Sequence, residues 1–290
     1  MRLKRRNLLR GGATLVAGGA LTTVIDGLCL TPFKLDVSHH DFGVPSAPSD
    51  GPATEAMPTP AEIRRLRIAH ISDLHLSRVG PLEERVLEAL HRLAPDLLVI
   101  TGDSLSAARG EGPLVDFLAA CPDVPHRLAI LGNWELSSGV PVSRLRAHHE
   151  RHGFDLLVNR SARVTLGDRS VRVTGFDDFR QGHPDPVAAF AGEEPCDYHL
   201  VLTHCPVHRD KLSLPAEQPA DLVLSGHTHG GQVAPGGVAL VTPPGSGRYV
   251  AGWYRDGGPP LFVSRGIGTS AVPIRIGSVP ELACIDWHLA

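Results

Sequence analysis

Five short apolar runs end abruptly in polar residues. They are Leu66–Ile71 before Ser-Asp-Leu-His, Leu97–Ile100 before Thr-Gly-Asp, Leu128–Leu131 before Gly-Asn-Trp-Glu, Leu200–Leu202 before Thr-His, and Leu222–Leu224 before Ser-Gly-His-Thr-His. Runs of this length bounded by turn signals predict buried strands. Between the first two, Leu82, Val86, Leu87, Leu90 and Leu93 recur at helical spacing behind Pro81, which predicts a helix over Pro81–Leu93. Strand, helix, strand implies a parallel, right-handed unit, and polar groups at the C-terminal ends of such strands stand where α/β sheets place ligands. Val164–Leu166 and Val171–Val173 around Gly167-Asp168 predict a hairpin, and Leu261–Val263 and Leu282–Ile285 further strands. Phe33, Leu35 and Val37 alternate, predicting a short strand that packs back on the domain; Pro45, Pro48, Pro52, Pro58 and Pro60 then mark a linker. Residues 31–62 thus read as strand plus linker, and residues 63–290 as one α/β domain without internal repeats.

Ahead of this, Arg2, Lys4, Arg5, Arg6 and Arg10 precede the charge-free run Gly11–Ile25, so residues 1–30 read as an export signal or N-terminal anchor. Arg5-Arg6-Asn7-Leu8-Leu9-Arg10 resembles a twin-arginine signal, which implies the twin-arginine translocation machinery as partner and a periplasmic location or the outer face of the inner membrane. No small-x-small cleavage site stands out, which leaves a retained membrane tether open; the run falls short of the ~20 residues a full span needs.

Composition narrows the classes. With 42% hydrophobic and 20% charged residues among 290, wholesale disorder is excluded. A net charge of −3 without a long basic run argues against a nucleic-acid surface. Cys121, Cys196, Cys205 and Cys284 lack C-x-x-C spacing and read as buried free thiols. Histidine, at 16 residues, outnumbers the 14 aromatics, so a metal site is the first thing to seek.

The strand ends supply one. Asp73, His75, Asp103, Asn133, His204, His227 and His229 form a set of oxygen and imidazole donors without a thiolate, more than one divalent ion needs. A carboxylate shared between two ions gives each a workable shell, and such a mixed set suits Mn, Fe, Zn or Co better than Ca. Gly102, Gly132 and Gly226 precede donors at sharp strand-to-loop turns, where a small or φ > 0 residue is favoured.

In that order, Asp73-x-His75, Gly102-Asp103, Gly132-Asn133, His204 and Gly226-His227-Thr228-His229 resemble the calcineurin-like metallophosphoesterase superfamily, with coverage from about Leu66 to the C-terminus. Gly226–Gln232 and Ser264–Ser270 resemble its exported bacterial phosphodiesterase branch. The resemblance implies a four-layer α/β/β/α sandwich of two mixed sheets with a dimetal site at the sheet edge. It also implies that Asp73, His75 and His229 bind one metal, Asn133, His204 and His227 the other, and that Asp103 bridges. The implied reaction is hydrolysis of a phosphate ester by a hydroxide held between the ions, with Asp103, Asn133 and His204 at its centre.

One position departs from the family. Its usual Gly-Asn-His-Asp/Glu is here Gly132-Asn133-Trp134-Glu135, and an indole N–H donates a hydrogen bond but is no acid at neutral pH. This departure keeps two alternatives in view: a UDP-diacylglucosamine-type pyrophosphatase, whose cytoplasmic substrate sits badly with the leader, and a catalytically weak, metal-stabilised binding module. Elsewhere, His148 and His149 read as solvated helix residues, Asp177 and Asp178 as loop residues, and Arg265 and Arg275 as structural salt-bridge partners.

Overall fold

Apolar runs without polar alternation make sense only if both strand faces are buried, and a computed structural model shows that they are. It describes residues 26–43, 64–191 and 194–290; the twin-arginine segment, the charge-free run and the proline-rich linker lie outside these. Strand β1 spans Asp36–Phe42, β2 Arg64–Ile71, β3 Leu97–Thr101, β4 His126–Ile130 and β5 Asp155–Leu156. In β2, Leu66 and Ile68 enter the layer between two sheets, whereas Ala69 and Ile71 face the helices. β3 divides Leu97 and Val99 from Leu98 and Ile100 in the same way.

The helices covering this sheet are α1 (Pro81–Leu93), α2 (Glu111–Ala120) and α4 (Val142–Arg151), with the short α3 (Asn133–Ser137) before the last. Helix α1 begins at Pro81, where Glu83 accepts the Gly80 N–H at 2.9 Å, and stops at Ala94 in a left-handed cap. It buries Leu82, Val86, Leu87 and Leu90, each contributing about 1.5–3 kcal/mol.

The second sheet is built from β6 (Arg160–Leu166), β7 (Arg169–Gly175), β8 (Tyr198–Leu202), β9 (Leu222–Ser225), β10 (Gly252–Tyr254) and β11 (Leu261–Val263). Strand β12 (Glu281–Leu289) returns to the first sheet, giving orders β1-β12-β2-β3-β4-β5 and β10-β11-β9-β8-β7-β6. Strands β2 to β5 are parallel, as are β7, β8, β9 and β11, while β12 runs antiparallel to β2 and the predicted β6–β7 hairpin is present. Both sheets are therefore mixed. The outer face of the second carries a thin fourth layer: α5 (Pro186–Ala189), a 3₁₀ turn over Pro206–Lys211, and loops.

Two expectations are corrected. The strand expected over Phe33, Leu35 and Val37 lies later: Thr31–Phe33 is a 3₁₀ turn, and β1 pairs in parallel with β12 from Asp36↔Glu281 to Phe42↔Trp287. As a half-exposed edge strand, β1 tolerates the polar sequence Asp-Val-Ser-His-His-Asp-Phe, which hides it from a hydrophobicity pattern. His149 is buried rather than solvated: it shares one face of α4 with Leu145 and donates from Nδ1 to the Leu145 carbonyl at 2.8 Å. Its neighbour His148 meets Glu111 at 2.7 Å beside Arg144, tying α4 to α2. Cys121, Cys205 and Cys284 are buried free thiols and Cys196 is half-buried. Among the described residues, no helix is long and apolar enough to cross a membrane.

Candidate metal centre

Five parallel strands, three from one sheet and two from the other, end at one edge. There β2 delivers Asp73 and His75, β3 Asp103, β4 Asn133, β8 His204, and β9 His227 and His229. Backbone bonds stitch the turns together: Asp73 N–H to Gly102 O at 3.0 Å, His75 N–H to Asp103 O at 2.9 Å, and Gly226 N–H to His204 O at 3.2 Å. Asp73, His75, Asp103, His227 and His229 all have positive φ, between +47° and +73°. Such strain, about 1 kcal/mol or more per residue, persists where the surroundings over-determine it and concentrates at functional sites. The glycines matter here chiefly through close approach. A Cβ on Gly226 would overlap Ser72 Oγ and Asp73 Oδ2, and one on Gly132 would overlap Asp103 Oδ1.

The donors form two buried triads, Asp73–His75–His229 and Asp103–His204–His227, each with its ligand atoms within 4.8 Å of one another. In the second, the other nitrogens are committed: His204 Nδ1–H donates to Thr101 O at 2.8 Å, and His227 Nε2–H to Pro244 O at 2.9 Å. In the neutral state that metal binding requires, each imidazole has one donor, so the facing atoms, His204 Nε2 and His227 Nδ1, 3.1 Å apart, are both lone pairs. Two converging lone pairs call for a positive charge between them, a metal ion or, in its place, a proton on His204 Nε2 shared with Asp103 Oδ2. In the first triad, His75 Nε2 lies 3.1 Å from His229 Nε2, and His75 Nδ1 meets Ser106 Oγ at 2.7 Å. Asp73 uses Oδ2 to accept the His227 N–H at 2.9 Å, which leaves its buried Oδ1 without a hydrogen bond, 3.4 Å from His229 Nε2. Asn133 Oδ1 is likewise buried and unpartnered.

Asp103 joins the two halves. Its Oδ1 accepts the Trp134 N–H at 2.8 Å, and its Oδ2 stands 3.1 Å from His204 Nε2 and 3.7 Å from His75 Nε2. Burial holds His75, His227 and His229 below the ordinary histidine range, in the neutral form a metal requires. Burial would lower His204 too, but the Asp103 carboxylate outweighs it and holds His204 well above that range. Burial opposes ionisation of Asp103, yet His204, His75 and the Trp134 amide bring it down to about 2. This orphaned, oxygen- and nitrogen-rich donor set fits two transition-metal cations.

Several residues escaped the sequence reading. Glu135 is buried and accepts three amides: Asp103 N–H and Gly132 N–H on Oε2, each at 2.9 Å, and Ser104 N–H on Oε1 at 2.5 Å. Burial and the Asp103 charge push its carboxyl up to about 7. Its place three residues after Gly132 is capping-box spacing, a signal that could have found it. Asp178 accepts the Arg180 and Gln181 amides at 2.9 and 2.7 Å and so aims that loop at a cleft of about 550 Å³. The cleft opens on Asp103, Asn133, His227 and His229. Arg265 makes the expected salt bridges, to Asp36 and Glu281. Arg275 does not. It is fully buried against the carbonyls of Arg265, Gly266 and Gly268, with its Nη2 3.3 Å from His229 Nδ1.

Comparison with known proteins agrees with this geometry. Residues 66–231, more than half of the chain, match the family described as calcineurin-like phosphoesterase. The chain is 26% identical to YkuE of Bacillus subtilis, an uncharacterized metallophosphoesterase, over 97% of this chain and 96% of that one. It is 28% identical to the phosphodiesterase YaeI of Escherichia coli, over 76% of this chain and 81% of that one. It is also 28% identical to the UDP-2,3-diacylglucosamine pyrophosphatase LpxG of Chlamydia trachomatis, over 60% of this chain and 66% of that one. By the family match and the two triads together, the chain belongs to the calcineurin-like phosphoesterase family and is a metal-dependent phosphoester hydrolase.

Proposed function

We propose that the protein hydrolyses a phosphate ester outside the cytoplasm, with one transition-metal ion on Asp73, His75 and His229, a second on Asn133, His204 and His227, and Asp103 shared. The observation supporting this assignment is the position of Asp103 Oδ2, which reaches a histidine of each triad, at 3.1 and 3.7 Å. Two such ions supply an acidified water and positive charge for the attacking and leaving oxygens. The chain's part is to hold them in place: Glu135 and the Trp134 amide fix the Asp103 turn, and the carbonyls of Thr101 and Pro244 fix the His204 and His227 tautomers.

No acid side chain outside the donor set lines the cleft among the described residues, and Trp134 stands where the family carries histidine. Leaving groups that depart without a proton are therefore favoured. A diphosphate substrate has such a leaving group, and the likeness to LpxG supports that second reading. Elemental analysis of active protein should give close to two ions per chain, and Asp103→Asn should cost more activity than any other single donor change. One ion or none would end the dimetal assignment. A panel of aryl mono- and diesters and diphosphates, assayed with each metal, separates the two substrate readings.

The leader supports the location. Replacing Arg5 and Arg6 together by lysine is expected to leave folded, metal-loaded protein in the cytoplasm; normal export of that variant would count against twin-arginine transport.

A further inference from the structure

The cleft beside the metal centre mixes polar and apolar side chains, but the surface it presents is chiefly apolar, with Trp134, Val233, Val241, Pro243 and Val272 contributing. Its rim is apolar where a soluble protein usually scatters charge. Val241 is 72% exposed and Val272 51%, with Val238 and Leu240 beside Val241. Segment 269–273 separates the cleft from a second groove of about 340 Å³, which opens on His75 and carries the exposed Leu28 and Phe33. Among the described residues, every large apolar side chain this exposed, apart from Val187, lies at or within a few residues of these two grooves. Single exposed apolar residues need no explanation, but a cluster at the mouth of a polar site marks a binding surface. The cleft also holds one cation, Arg180, which is exposed and forms no ion pair among the described residues. Its loop is fixed by the buried Asp178.

We propose that the cleft takes phosphoesters carrying an apolar chain. The chain lies in the trough formed by Trp134, Val233, Val241 and Val272, and the phosphoryl group sits between Arg180 and the donor cluster. Guanidinium and phosphoryl oxygens are complementary in charge and geometry, and the trough is continuous with the donors, so both ends of one amphiphile are met. Because it assigns a substrate class to the same site, this inference rests on the phosphoesterase reading above.

The test uses full-length, metal-loaded protein and a series of p-nitrophenyl alkyl phosphodiesters from methyl to octyl. The expected result is a kcat/KM that rises by up to about fourfold per methylene until the trough is filled. With Val241→Asp and Val272→Asp combined, both at exposed positions, the octyl-to-methyl ratio should fall at least tenfold. A flat series with a methyl ester that is still hydrolysed would overturn the inference and leave the phosphoesterase reading intact. If no ester of the series is hydrolysed, the diester reading of the site fails. Calorimetric binding of octylphosphonate against methylphosphonate then decides the inference alone, equal affinities refuting it. Presenting the octyl ester as free monomer and in phosphatidylcholine vesicles separates a dissolved amphiphile from a membrane lipid; preferential turnover of either form upholds the class.

Discussion

Glu135 offers a sharp test, because its two oxygens divide their work unequally. In Glu135→Gln, the amide oxygen can keep the Oε2 position and its bonds to Asp103 and Gly132, which turns the NH₂ group toward the Ser104 N–H. One charge-assisted bond is lost, about 2 kcal/mol. Against this, the substitution removes a carboxyl that burial and Asp103 push up to about 7 from an ordinary value of 4.5. At pH 8 in chelated protein, relief of that enforced ionisation is worth up to about 3 kcal/mol. Bound cations neutralise the Asp103 field, and the relief shrinks with it. Chelated Glu135→Gln should therefore melt close to wild type at pH 8. Because burial, the larger cause, remains, the loaded variant should lose at most about 2 kcal/mol, or at most roughly 4–8 °C, and bind metal about 10–100-fold more weakly. Glu135→Ala strands three buried amides, costing roughly 3–9 kcal/mol in a protein whose whole stability is about 5–15 kcal/mol. The assays are thermal melts with and without chelator, and metal competition against a chromophoric chelator. A loaded Gln variant that melts and binds metal like wild type would refute the clamp.

Two further outcomes follow from the same structure. Trp134→His should accelerate esters with poor leaving groups by up to ~10²-fold and leave nitrophenyl esters nearly unchanged, because only the former need an acid. Parallel dependences of rate on leaving-group pKa in the two proteins would sink that view. Burial holds His149 down to about 4, below its unfolded value near 6.5, so the native state binds fewer protons; its stabilising effect is complete above about pH 6.5 and is lost as pH falls through 4. His149→Leu should flatten the stability-against-pH slope by about one proton in that window, as read by urea titrations, and an unchanged slope would show that His149 takes up its proton in the native state as readily as in the unfolded one.

How much was legible in the chain depended on burial. Runs such as Leu97–Ile100 announce themselves because both faces are apolar, and the donors are readable because each ends such a run. β1 was displaced because backbone pairing with β12, rather than its own half-exposed side chains, makes it a strand. β5 and β10, of two and three residues, are too short to show a period. Arg144, Arg146, Glu150 and Arg151 flank His149 in sequence and suggest a solvated ring, whereas in space it meets Leu145 and Phe154. Arg180 could not be placed by any local rule, since its nearness to His227 comes from two loops of different strands meeting.

The pairing of β1 with β12 carries a consequence in time. Arg265 bridges Asp36 and Glu281, the Glu281 N–H bonds Gly266 O at 3.0 Å, and the Gly268 N–H bonds Asp73 O at 2.7 Å. The wall behind Asp73 is thus braced by partners about 240 residues apart in the chain, and contacts of such long range form late. Until Glu281–Leu289 has been synthesised, one edge of β2 stands unpaired, an open template for association between growing chains. Partly made copies are for this reason a greater aggregation hazard than finished ones. The donor whose carbonyl leans on this wall acquires its support only when the closing strand arrives, so the ions should be captured after β12 has paired with β2 rather than before.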